Sequence, residues 1–136
     1  MIPRGLPRGD SIAINPMKIL VCEDNPMTLR TIEFTLMKDG HEVLRAEDGD
    51  QAIRMLHEKE IDLVITDINM PYTKGLEVVR YVNKNMDATI PVIIISIINL
   101  EETRQHAMEL GAKGYLTKPF DPQALLALVH SVAENK

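Results

Sequence analysis

Three shortages narrow what this chain can be. It has one cysteine, Cys22, so no disulfide can form within the chain, and the apolar run around it reads as a small buried hydrophobe. No apolar run approaches the ~20 residues of a membrane span, and the amino terminus lacks the apolar core of a signal peptide. A cytoplasmic location with no membrane partner is expected. Positive charge is also short. Fifteen Lys and Arg against twenty Asp and Glu leave a net charge of -5, the wrong sign for holding nucleic acid or an anionic membrane by bulk charge. The direct partner expected is a protein or a small ion.

What is present suits one domain. The chain has 136 residues, 45% hydrophobic and 26% charged, enough for a single sizeable core. Residues 1–16, "MIPRGLPRGDSIAINP", repeat Pro-Arg-Gly and show no sustained periodicity, so they read as a flexible leader or cloning remnant, with the domain over 17–136. From Met17 onward, short apolar runs alternate with amphipathic stretches. The runs are Ile19 to Cys22, Val43 to Leu44, Leu63 to Ile65, Val92 to Ile95 and Tyr115 to Leu116. Three of them are continuous and rich in Val and Ile, as parallel strands covered on both faces require.

The intervening stretches carry helical spacing. Asn25 and Pro26 form an N-cap and first-turn pair, Leu29, Ile32 and Leu36 share a face, and Gly40 supplies a stop. Ala52, Ile53 and Leu56 mark a second helix, and Leu76, Val79 and Val82 a third. Leu100, Ala107 and Leu110 mark a fourth, closed by Gly111. Asp121 and Pro122 open a fifth, with Leu125, Leu128 or Val129, and Val132 inward. Five strand–helix alternations predict an α/β fold, a doubly wound five-stranded parallel sheet whose ligand site lies beyond the carboxyl ends of the strands.

That rule gathers a set of side chains. Glu23 and Asp24 follow the first strand, Asp67 the third, Ser96 ends the fourth, and Lys118 ends the fifth just before Pro119. Two like charges about 4 Å apart repel by ~4 kcal/mol at the effective dielectric of a protein surface, so three acids here need a cation. All-oxygen donors suit magnesium, whereas zinc would want His or Cys nearby. His41, His57, His106 and His130 show no metal-ligand spacing and read as surface or structural residues. Met37, Met55, Met70 and Met108 read as core filling.

The ordered set "EDN" at 23–25, "AEDGDQA" at 46–52, "DINMP" at 67–71 followed by Gly75, Ser96 after an apolar strand, and "GAKGYLTKPF" at 111–120 resembles the receiver domain of two-component response regulators, of the chemotaxis-regulator kind. The resemblance runs from about Met17 to Ala133. It implies a flavodoxin-like (βα)5 fold with strand order 2-1-3-4-5 and a switch activated by phosphorylation. Asp67 would be the phosphoacceptor, taking its phosphoryl group from a sensor histidine kinase or a histidine phosphotransfer protein. Mg2+ would be held by Asp24, Asp67 and the backbone carbonyl of Asn69, with Glu23 acting through a water.

Lys118 and Ser96 would contact the phosphoryl oxygens, and the Lys118–Pro119 bond would be cis. Ser96 and Tyr115 would reshape the face of helix 4, strand 5 and helix 5 for a downstream protein target or a second receiver. Catalysis would be confined to the chain's own phosphorylation and dephosphorylation, so it is not an enzyme in the usual sense. No helix-turn-helix or output domain is legible, so the chain reads as a stand-alone receiver or the receiver of a larger regulator, without direct nucleic acid binding.

Two departures qualify the resemblance. Ile97 stands where receivers usually carry a small residue, which predicts crowding at the phosphoryl entrance, and Lys74 replaces an acid before Gly75. Ile97 is the one feature favouring an alternative, a receiver-like interaction module that is never phosphorylated. An aspartate-nucleophile phosphatase ranks last, because Asn69 stands where a second aspartate would act as general acid.

Overall fold

The computed structural model describes residues 16–69, 75–85 and 90–134. The strands are β1 (Lys18–Cys22), β2 (Glu42–Ala46), β3 (Leu63–Asp67), β4 (Val92–Ser96) and β5 (Gly114–Thr117). The helices α1 (Pro26–Lys38), α2 (Gly49–Glu58), α3 (Gly75–Asn85), α4 (Glu101–Leu110) and α5 (Pro122–Glu134) follow them in strict alternation. The strands form one parallel sheet in the order β2-β1-β3-β4-β5, the flavodoxin-like arrangement. The leader expected over 1–16 falls, apart from Pro16, outside the described residues, as do Met70 and Lys74.

Side-chain alternation along the central strands divides the core in two. Ile19, Val21, Leu63, Ile65, Ile93 and Ile95 face α1 and α5, where they meet Ile32, Leu36, Leu125 and Val129. Leu20, Cys22, Val64 and Ile94 face the other way, onto Ala52 and Leu56 of α2, Val78, Val79 and Val82 of α3, and Ala107 of α4. Both faces of β3 and β4 are therefore covered, and that is why their sequences are apolar without a break. Cys22 is buried within this packing, which pushes its thiol up to about 12 and keeps it protonated.

The helix ends obey local chemistry. The Asn25 side chain accepts from the amides of Met27 and Thr28 at 3.0 and 3.1 Å, with Pro26 in the first turn. Asp48 caps α2 by accepting from Gln51 N, and Gln51 reaches back to accept from Glu47 N. Gly40 and Gly111 take φ of 96° and 119°, the left-handed region where glycine follows a helix.

Two expectations need correction. Leu100 is the N-cap of α4 and 64% exposed, not part of its inner face, because the helix starts one residue later than the apolar spacing suggests. Met37 and Met108 are exposed, so of the described methionines read as core filling only Met55 packs against the core. None of the described helices is long and apolar enough to cross a membrane.

Candidate functional site

Each site residue sits where a strand has just ended or is ending, so the sheet fixes its backbone. Glu23 follows β1 and is 1% exposed; its Oε2 accepts from Asn25 N at 3.0 Å, which ties it to the start of α1. Asp67 closes β3, where its Oδ1 accepts from Asn69 N at 3.1 Å. Lys118 follows β5, and its amide donates to Ser96 O at 2.7 Å, extending the β4–β5 pairing by one rung. The peptide after it, Lys118–Pro119, is cis, as the resemblance implied.

The lysine side chain joins the two buried acids. Its Nζ donates to Glu23 Oε1 at 2.8 Å and to Asp67 Oδ2 at 2.7 Å. Asp24 is exposed beside them, and one carboxylate oxygen from each of Glu23, Asp24 and Asp67 lies within 4.8 Å of the others. Burial pushes the Glu23 carboxyl above its usual range, against the Lys118 and Asn25 bonds that favour its anion, and the Asp67 charge adds to the rise. For Lys118, burial works against the ammonium, but the bonds to Asp67 and Glu23 and their charges outweigh it, and its pKa is raised. Three carboxylates against one ammonium leave the cluster short of positive charge. Its oxygen-only donors fit a hard divalent ion such as Mg2+.

Gly75 explains a close approach that no side chain would permit. Its amide donates to Ile68 O at 2.9 Å, and a Cβ there would stand 2.0 Å from Asp67 O. The first turn of α3 is thereby pressed onto the strand end that carries Asp67.

Ser96 is fully buried on β4, one residue beyond Ile95, the neighbour of Asp67 across the pair. Its Oγ accepts from Ile98 N at 3.0 Å, and the Tyr115 hydroxyl donates to Ile98 O at 2.7 Å. The backbone of one residue, Ile98, thus links the hydroxyl on β4 with the phenol on β5 through its amide and its carbonyl. Nothing in the sequence signals this, because the link runs through the backbone of Ile98 and not its side chain. Ile97 is 71% exposed, so its hydrocarbon stands at the surface and is not packed over Ser96.

The histidines gather more closely than their sequence spacing suggests. His41 and His130 both reach Asp39, at 3.1 and 2.8 Å. Only the fold brings these residues together, since His130 lies 91 positions from Asp39. His57 bonds the Tyr81 hydroxyl between α2 and α3, and His106 is exposed.

The family model described as the response regulator receiver domain matches residues 19–130. Among solved structures, the receiver domain of the Francisella response regulator 1452 is 28% identical with a TM-score of 0.81, over 88% of this chain and 98% of that one. The chemotaxis response regulator CheY4 of Vibrio cholerae is 30% identical with a TM-score of 0.81, over 87% and 99%. A response regulator receiver domain protein from Clostridium thermocellum is 34% identical with a TM-score of 0.80, over 88% and 95%. The sheet order, the strand-end acids with their lysine and these matches agree: the chain belongs to the response regulator receiver domain family of two-component systems, whose general role is switching by phosphorylation.

Proposed function

We propose that Asp67 is the phosphoacceptor of this receiver and takes its phosphoryl group from a phosphohistidine on a sensor histidine kinase or a histidine phosphotransfer protein in the cytoplasm. The Asp67 carboxylate attacks phosphorus in line and forms the new O–P bond; the P–N bond to the donor imidazole breaks, and that nitrogen keeps the electron pair. Asp24, Asp67 and the Asn69 carbonyl would hold Mg2+, with Glu23 acting through a water, and the ion would supply charge neutralisation at the phosphoryl oxygens. Lys118 exchanges its Asp67 bond for a phosphoryl oxygen, and Ser96 donates its hydroxyl to another. Catalysis extends no further than the chain's own phosphorylation and dephosphorylation.

The observation that carries this reading is the single ammonium held 2.7 Å from Asp67 and 2.8 Å from Glu23, all three largely buried. A buried cation poised on a strand-end carboxylate is what developing phosphoryl charge requires. The output follows from Ile98. When Ser96 Oγ turns to the phosphoryl group it releases the Ile98 amide, and the carbonyl that holds Tyr115 moves with it. Tyr115 then turns inward and reshapes the α4–β5–α5 face for a downstream protein or a second receiver.

The test is intact mass after incubation with acetyl phosphate or a histidine kinase and Mg2+. One added phosphoryl group is expected on wild type and none on Asp67→Ala. Label persisting in the variant would move the phosphoacceptor elsewhere, and no label on wild type from either donor would favour the interaction module.

A further inference from the structure

Asp39 caps the carboxyl end of α1, and Gly40, with φ of 96°, turns the chain so that His41 comes back beside it. Asp39 is 2% exposed and His41 is buried, while the side chain of His130, on the second half of α5, is 40% exposed. Both Nε2 atoms approach the same Asp39 oxygen, Oδ2, and the three residues each offer a ligand atom within 4.8 Å of the others.

The setting calls for a cation. A buried carboxylate sits at the carboxyl end of a helix, where the backbone dipole is already negative. Its other oxygen, Oδ1, is buried without a hydrogen-bond partner among the described residues, an arrangement that costs free energy unless something positive answers it. Burial lowers the proton affinity of His41, ahead of the opposing pull of Asp39.

We propose that Asp39, His41 and His130 form a second metal site, for a borderline divalent transition ion of the zinc class, at the opposite end of the sheet from the acidic cluster. Two imidazole nitrogens and one carboxylate suit zinc as the strand-end oxygens suit magnesium, and the exposed side of His130 leaves a position for water. Binding has a defined cost. His41 Nδ1 now accepts from Met17 N at 3.0 Å, so its one proton is on Nε2. When the ion takes the Nε2 lone pair that proton moves to Nδ1, where it faces the Met17 amide, and the bond is lost. Loading therefore releases the amide just before β1, while Glu42 N still donates to Met17 O at 2.9 Å.

Zinc chloride is titrated calorimetrically into the full chain in excess Mg2+, with the Met17 amide followed by NMR. One zinc per chain is expected, weakened by about tenfold or more in His130→Ala, whose half-exposed position spares the fold, and unchanged in Asp67→Asn. The Met17 amide should shift with zinc and stay in place with Mg2+. Equal zinc affinity in wild type and His130→Ala, loss confined to Asp67→Asn, an unmoved Met17 amide, or no binding by wild type would each overturn the site.

Discussion

At the carboxyl ends of the strands, Glu23 and Asp67 share the ammonium of Lys118; at the amino ends, Asp39 shares two imidazoles. Both clusters bury carboxylates, but the first carries a permanent cation and the second only groups that gain charge by binding a proton. The first is also assembled from residues that end a strand or immediately follow one, so one sheet sets all its positions. The second draws on a helix C-cap, the residue before β2 and the far half of α5, and it depends on how α1 and α5 pack.

Removing each cluster's partner tests that difference. Lys118→Met should have the largest effect, about 3 kcal/mol lost in metal-free thermal melts, because it leaves buried acids facing each other, and Mg2+ should restore part of it. His130→Ala should cost about 1 kcal/mol, since His41 still donates to Asp39. A loss there as large as that of Lys118→Met would mean that Asp39 depends on a charged His130, and the contrast would fail. Asp67→Asn should go the other way, raising metal-free stability by about 1 kcal/mol as repulsion with Glu23 is relieved. A clear loss in that variant, with no response of wild type to Mg2+, would count against the acidic site.

The two ends should also respond to pH with opposite slopes. Glu23 has a raised pKa in the fold, so its contribution is fully present below the ordinary 4.5 and is lost as pH rises through the raised value. His41 has a lowered one, so its contribution is present above 6.5 and is lost as pH falls through the lowered value. Melting temperatures across pH 4 to 8 should show the Glu23 slope flattened by Glu23→Gln with the His41 slope intact. A parallel change in both would show that the ends are coupled.

The smallest effect concerns phosphoryl lifetime. The Ile98 side chain offers no hydrogen bond to an attacking water, so slow phosphoryl loss is expected in wild type and faster loss in Ile98→Glu. Ile97→Ala should change it less, because Ile97 stands mostly in solvent. Three equal rates, or wild-type decay within seconds, would remove the shielding argument.

The same contrast explains what could be read from the chain alone. The alternation of apolar runs and capped helices fixes the sheet, and the strand ends then give Glu23, Asp67, Ser96 and Lys118 their neighbourhood. Leu100 was misplaced because apolar spacing does not distinguish an inner face from a cap. The Ile98 link escaped because peptide groups carry no sequence signature. The histidine cluster escaped because His41 and His130 meet through tertiary packing, where no local spacing exists to be recognised.

The bond from Gly75 N to Ile68 O has a practical consequence. It ties the residue after Asp67 to the first residue of α3, so the chain on either side of positions 69–74 is held together beside Asp67. Residues added after position 71 would lie between these two tied ends, and their entropic cost grows only with the logarithm of the added length. A peptide epitope or a fluorescent reporter could be grafted there without shifting the register of β3 or the start of α3, giving a sensor built beside the proposed phosphoacceptor.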